Sequence, residues 1–507
     1  HNGAKKHAMG RVAGLETPIG NPKRLSPERS ADVCGYCHLQ GVTRLLRPGH
    51  SWFDFKPGDA LSDSIAVFAE ETPGNPFGIA AQAERLARSK CATKDVRARR
   101  CITCHQPHPT STRKAPENAC INCHQDNEKA CTQKKETGCV KCHMHRGDTA
   151  DIPHVQMTDH FIRRFPKKPI KTSKNASLIW VNRPPDVSAA ESELMLGRAY
   201  AERARSRGLT ADLKLADNLL SNALKTLPDA RNGWFDLASV RLLLGQVQAA
   251  QSAAESAHQR GPRNAKFSAG VAETRLASGQ LQTADKAVDM AIALEPETIS
   301  HHILKAKIAL AGRKNDAFQS SLAHIEQAQP DRGVADNLRG TQHTISRAYG
   351  LAGAAFESAA KKEPGNVLFL LNLCRNNIER KRWKSALTVC KKGREIDAAV
   401  AMGFNGPIAR ALYELNQKSE AADLAGKAMA SGDANAARVL GLLALERQRY
   451  EVASAFFSRS LKSKPSQPEV WEALANALEK QGKGAFAKKV RAEGAKQRAR
   501  LQAPAPD

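Results

Sequence analysis

The sequence predicts an all-α protein in two unlike parts: an N-terminal domain with little regular structure, followed by an α-solenoid of repeated helical pairs. Three observations predict it. Eight of the twelve cysteines fall in four identical Cys-x-x-Cys-His patterns between residues 34 and 143. Prolines then recur every 34 residues through the second half. No stretch comes near the roughly 18 consecutive apolar residues of a membrane-spanning helix, so no transmembrane segment is expected. A chain of 507 residues is too long for one core, and its 25% charged and 41% hydrophobic residues are ordinary for a folded protein.

The four patterns are Cys34-Gly35-Tyr36-Cys37-His38, Cys101-Ile102-Thr103-Cys104-His105, Cys120-Ile121-Asn122-Cys123-His124 and Cys139-Val140-Lys141-Cys142-His143. Two thiols at this spacing can add across the two vinyl groups of one haem, and the histidine that follows can bind the iron. Structural zinc would need two such pairs per site and no histidine after each second cysteine. A redox dithiol would occur once, within a βαβ pattern. Cofactor attachment as haem c is therefore expected at Cys34, Cys37, Cys101, Cys104, Cys120, Cys123, Cys139 and Cys142. His38, His105, His124 and His143 are the expected proximal ligands.

Seven further histidines lie in residues 1–185: His1, His7, His50, His108, His145, His154 and His160. They suffice to give every iron a second imidazole, which suits electron transfer because no position is left open. His108, His154, His160, His7 and His145 are the candidate distal ligands. His108 lies too close to His105 to reach the far face of the same iron, so a neighbouring haem is expected for it. His50, in the turn Arg47-Pro48-Gly49-His50, reads as a weaker candidate or a surface residue. Met9, Met144 and Met157 could supply thioether ligands or fill gaps beside a haem. The last three motifs are only 19 residues apart, too few to build a side-chain core between them. Haem itself is expected to form the core of a domain over residues 1–162, which should not fold without it. Cys91 and Cys131, outside the motifs, are either a disulfide or two separate thiols.

The net charge is +26, with 30 Lys+Arg against 17 Asp+Glu in residues 1–185. Such an excess often marks nucleic-acid binding, but no zinc finger, RNA-binding signature or aromatic-rich basic strand accompanies it. Haem propionates would offset much of it, and no nucleic-acid partner is expected.

At these residues the chain resembles the multihaem cytochromes fused to tetratricopeptide repeats in environmental bacteria, relatives of the tetrahaem cytochrome that accepts electrons from hydroxylamine oxidoreductase. The resemblance covers residues 22–165. It rests on the haem motifs and on Asn21 to Leu25, Cys34 to Gly41, Phe53 to Asp59, Cys104 to His108 and Ile152 to Arg164. It implies periplasmic or extracellular electron transfer through bis-histidine haems packed in stacked and perpendicular pairs, with redox proteins as partners. Such proteins usually carry further motifs upstream. The opening His1-Asn2-Gly3-Ala4-Lys5-Lys6-His7 is thus expected to be the tail of a severed motif, in a processed form or a fragment.

Residues 163–188, rich in proline and basic side chains, read as a linker. Beyond it, Pro228, Pro262, Pro296, Pro330 and Pro364 are each 34 apart, Ala398 takes the next place, and Pro465 fits after one shorter repeat. That period is the signature of tetratricopeptide repeats, each an antiparallel helix pair. Eight or nine repeats are expected over 189–500, with a disordered tail at 501–507 and a groove for a protein partner. His302, Lys305, Asp336 and Arg339 stand where apolar residues are expected, marking distorted or groove-facing repeats. His301, His302, His324 and His343 read as ordinary surface or interhelix residues rather than remote haem ligands. Cys374 and Cys390 fall where two helices of one repeat face each other, as buried apolar residues or a disulfide.

The function expected is electron transfer, with a repeat scaffold for docking. The alternative is an oxidoreductase of the nitrite or hydroxylamine type, whose open haem would lie upstream. All four motifs end in histidine, and the only tyrosine of residues 1–185 is Tyr36, inside a motif. No catalytic residue is therefore assigned.

Overall fold

The computed structural model describes residues 21–70, 78–105, 117–124, 138–149, 152, 154–164, 176–396 and 401–502. His1, His7, Met9, His108 and Cys131 lie outside them. Two compact units divide the chain, residues 1–261 and 262–507.

The first unit is not all-α. Strand β1 (Thr43–Leu46) pairs antiparallel with β2 (Ile65–Glu70), which pairs antiparallel with β5 (Leu178–Trp180). A second antiparallel pair joins β3 (Arg146–Asp148) to β4 (Gln156–Thr158). The middle strand β2 begins Ile65-Ala66-Val67-Phe68, and all four are fully buried. Such a run, apolar on both faces, cannot be told from a buried helix by periodicity alone. Ala66 and Phe68 pack with Met195, Ala199 and Tyr200 of the helix Ala189–Arg207. Ile65 and Val67 pack with Leu39, Leu61 and Tyr36 on the other side. One short strand thus separates the first Cys-x-x-Cys-His motif from the first helical pair. Strand β5 falls inside the predicted linker. It is held by the Leu178 N–H donating to the Tyr200 hydroxyl at 3.0 Å, so residues 178–180 are sheet.

Two buried arginines tie the sheet to the helices. Arg203 makes a two-point contact with Asp212 at 2.7 and 2.8 Å and donates to the Ala176 carbonyl at 2.6 Å. Arg198 donates to Asp236 at 2.8 Å and to the Leu46 carbonyl at 2.9 Å. Gly41, where the chain turns into β1, has φ +60°, and a Cβ there would lie 2.3 Å from the Phe68 carbonyl oxygen.

Helical pairs follow from residue 189. The first unit holds Ala189–Arg207 with Thr210–Thr226, and Arg231–Leu243 with Val247–Gln259. The second holds seven more, from Ala265–Ala277 with Leu281–Leu294 to Pro468–Lys480 with Gly484–Gln502. Each periodic proline follows the end of a helix, where its missing N–H breaks no ladder. Small residues let paired helices close up: a Cβ at Gly340 would lie 2.5 Å from the Phe356 ring, and one at Gly441 2.6 Å from Phe457.

The two poorly matching repeats are regular. Trp234 and Trp471 each donate an indole N–H to the carbonyl of the proline six residues earlier, Pro228 and Pro465, at 2.7 and 2.8 Å. His302 makes the same contact with Pro296 at 2.7 Å, so an imidazole stands in for the indole. Lys305 bridges Asp285 and Asp289, each at 2.7 Å. Asp336 pairs with Lys362 at 2.9 Å, and Arg339 with Glu326 at 2.6 Å. Polar residues at these apolar positions are satisfied by ion pairs with neighbouring helices. His302 also stacks on His324 with ring centroids 3.6 Å apart. Cys374 and Cys390, both fully buried, form a disulfide between the two helices of one pair.

Gly41→Ala is expected to destabilise the first unit by at least about 2 kcal/mol, since a left-handed conformation and a backbone clash act together. Gly441→Ala is expected to cost about 1–3 kcal/mol through overpacking against Phe457. Removing the Cys374–Cys390 cross-link, which closes a loop of 16 residues, should lower stability by about 3 kcal/mol. Denaturant titration monitored by circular dichroism checks all three.

Candidate functional site

All four Cys-x-x-Cys-His motifs sit on helical turns. The first ends the helix Pro27–His38, whose start is capped by the Ser26 side chain accepting the Arg29 N–H. The others are short pieces: Cys101–Cys104, Glu117–Cys123 and Cys139–His143. The His105 N–H donates to the Cys101 carbonyl at 2.8 Å and the His124 N–H to that of Cys120 at 2.9 Å, so the helical turn reaches the histidine. In a helix, positions i, i+3 and i+4 share one face. Two thiols and an imidazole therefore project together from each motif. Cys37, Cys104, Cys123 and Cys142 are exposed, while Cys34, Cys101, Cys120 and Cys139 are partly buried.

Motifs one and two are neighbours. The Cys34 and Cys101 thiols are hydrogen-bonded, which holds Cys34 down to about 6 and pushes Cys101 up. The ring centroids of His105 and His160 are 6.0 Å apart, with their planes tilted by 31°. Burial lowers the His160 pKa from its ordinary value, and nearby His105 adds to this against an opposing hydrogen bond to the Thr158 carbonyl.

Three imidazoles have their outer nitrogen held by an oxygen acceptor. His160 Nδ1 lies 3.0 Å from the Thr158 carbonyl and His143 Nδ1 2.9 Å from the Arg163 carbonyl. His38 Nδ1 lies 3.0 Å from Gln82 Oε1. The Gln82 amide nitrogen donates to the Ile79 carbonyl at 2.7 Å, which leaves its oxygen facing His38. A carbonyl oxygen only accepts, so Nδ1 is the donor in each contact and Nε2 is on the far side of the ring. Imidazoles that ligate metals are held in this way.

The segment carrying His160 is pinned at several points. Asp159 is buried and receives two hydrogen bonds from Arg85, at 2.8 and 2.6 Å, and one from Arg163 at 3.2 Å. Its carboxylate also accepts the Phe161 N–H at 2.9 Å. Burial alone would raise the Asp159 pKa, but the Arg85 hydrogen bonds and that N–H hold it below the ordinary value. Ser89 accepts the Ile162 N–H at 2.8 Å and donates to the His160 carbonyl at 3.1 Å. Backbone bonds from Asp159 to the His145 carbonyl (2.7 Å) and from Arg163 to that of His143 (3.1 Å) lay the segment along motif four. Arg85, Arg88 and Arg163 each approach the Phe161 ring, at 5.5, 4.9 and 4.7 Å from its centroid.

The other distal candidates fare differently. His145 and His154 are exposed, His154 in the turn between β3 and β4 with φ 64°. His160, by contrast, is partly buried. His50 is a surface turn residue whose Nδ1 lies 3.5 Å from Asp54. Cys91 is a free, partly buried thiol. In the repeats, His301 is buried, and His302 stacks on His324. Among the described residues no three metal-ligating side chains converge. A porphyrin iron asks the protein for only one or two ligands. Gln82, Arg85, Ser89 and Asp159 were not marked by spacing, for Gln82 and Arg85 lie 44 and 74 residues from the groups they hold.

No family model matches the chain, and no curated protein matches it. Solved structures with a similar course include the APC/C hetero-tetramer Cut9–Hcn1, at 15% identity over 57% of this chain and 56% of that one, with a TM-score of 0.41. The chain thus aligns with just over half the length of that protein. The Pseudomonas aeruginosa pilF structure aligns at 14% identity over 42% of this chain and 97% of that one, TM-score 0.35. A tetratricopeptide repeat protein from Parabacteroides merdae aligns at 12% identity over 56% and 99%, TM-score 0.36.

Asp159→Ala would take from the buried Arg85 its carboxylate partner, and a loss of about 3–5 kcal/mol is expected, read by denaturant titration of the first unit.

Proposed function

We propose that this chain is an electron-transfer protein that holds at least four c-type haems in its N-terminal region and docks a protein partner through its helical repeats. The observation that carries the reading is the placement of two thiols and an imidazole on one face of each of four helical turns. A haem bound at each motif supplies a one-electron iron couple. The chain's own residues would anchor it by two thioethers at each motif, and Gln82 and the Arg163 carbonyl would orient the imidazoles of His38 and His143.

The His105–His160 geometry supports two imidazole ligands on one iron. His105 and His160 would be the imidazoles that hold such a group, and it would supply the redox couple. Their ring centroids are 6.0 Å apart. Closed coordination favours electron transfer over substrate turnover. The Cys374–Cys390 disulfide supports an oxidising compartment, periplasmic or extracellular. Among the described residues no helix is long and apolar enough to cross a membrane. The stacked helical pairs suit docking of a redox partner, as repeat scaffolds offer extended surfaces.

Protein matured with a haem-attachment system should gain the mass of at least four haems, with all eight motif thiols refractory to alkylation. A chain that stays colourless, or whose motif thiols remain reactive, would overturn the proposal. Electron paramagnetic resonance should show low-spin ferric haem at the His105 site, and His160→Ala should convert it to high spin whereas His154→Ala should not. A high-spin signal in the unaltered protein that shifts with nitrite or hydroxylamine would instead favour an oxidoreductase.

A further inference from the structure

We infer that the short helix Gln82–Ala87, acting through the Arg85–Asp159 ion pair, is a positioning element that sets the axial imidazoles of more than one haem. This rests on the haem reading above and deepens it. The helix has six residues and carries no haem motif. From it, Gln82 holds His38 Nδ1, the outer nitrogen of the first motif's imidazole. One turn later, Arg85 grips Asp159, whose next residue is His160. Ser89, just beyond the helix, closes the other side of that residue by bonding the His160 carbonyl and the Ile162 N–H. The same pinned segment ends at Arg163, whose carbonyl holds His143 Nδ1 of the fourth motif. One helix thus reaches three imidazoles, directly at His38 and through residues 159–163 at His160 and His143.

The chemistry differs between the two arms. Gln82 acts by a hydrogen bond: an acceptor on Nδ1 makes the imidazole a stronger donor to the iron and favours the ferric state. Arg85 and Asp159 act by position, since the Arg85 hydrogen bonds end on Asp159, the residue before His160 in the chain. A buried carboxylate gripped at two points by a guanidinium has one tolerated geometry, because a displaced partner leaves an uncompensated charge. The backbone on either side of His160 is therefore held in place, and with it the 6.0 Å approach to His105. These are positioning residues rather than ligands.

The test uses the full-length, haem-loaded chain. Arg85→Leu and Asp159→Asn should each turn one haem high-spin and open it to carbon monoxide, as His160→Ala does. Combining Asp159→Asn with His160→Ala should add nothing further. Arg85→Lys, which keeps the charge, should restore most of the low-spin signal. Gln82→Ala should leave the spin state unchanged and move one midpoint potential upward. Should the aspartate variant fail to fold, Ser89→Ala carries the question, with partial high-spin character at the same haem expected. The inference is overturned if Arg85→Leu, Asp159→Asn and Ser89→Ala keep every haem low-spin and closed to carbon monoxide. It is also overturned if Gln82→Ala leaves every potential in place. Those failures are distinct from failure of the underlying reading, in which unaltered protein carries no haem or His160→Ala leaves all irons low-spin.

Discussion

A carboxylate removed from water must be fully paired, and the N-terminal region is organised around one such group. Asp159 is buried, yet four hydrogen bonds reach it, two from Arg85, one from Arg163 and one from the Phe161 backbone. With every lone pair engaged, the segment has little freedom to slide. His160, Ile162 and Arg163 take their places from it, and residues 159–163 lie along motif four. This matters because the spacing between motifs is too short for a side-chain core. Where apolar burial is scarce, directional polar contacts hold position.

The same physics appears at the junction between the sheet and the first helical pair. Arg203 and Arg198 are buried and spend their guanidinium hydrogens on Asp212, Asp236 and the carbonyls of Ala176 and Leu46. The four apolar residues of β2 supply the attraction, and the arginines supply the register. Strand β5 belongs to this arrangement, since it pairs with β2 while Tyr200 accepts its first N–H. A segment that is basic and proline-rich in composition is thus partly structural, because hydrogen bonding to an existing strand does not depend on its own hydrophobicity.

The repeats follow a different economy. Their contacts are local, each helix meeting its hairpin partner and the next pair, and small residues set against large ones fix the spacing. Gly340 against Phe356 and Gly441 against Phe457 show the same solution about a hundred residues apart. Substituting polar for apolar residues is tolerated where the neighbouring helix offers the counter-charge, as Asp285 does for Lys305. His302 keeps the function of the tryptophan it replaces because only a ring N–H at the right height is required.

Local rules made much of this protein legible from its residues. The Cys-x-x-Cys-His spacing places three groups on one helical face, and a 34-residue proline period places helix ends, because both depend only on the helix repeat and on the missing proline N–H. The disulfide alternative for Cys374 and Cys390 was legible for the same reason. What the sequence left open was settled by contacts between distant residues. That His160 lies near His105 could not be read from spacing, because the segment is held by Asp159 meeting an arginine 74 residues earlier. The sheet was likewise hidden, since β2 pairs with a strand more than a hundred residues later. Periodicity reports how a segment relates to itself; ion pairs and strand partners relate segments to one another, and only the folded chain decides those.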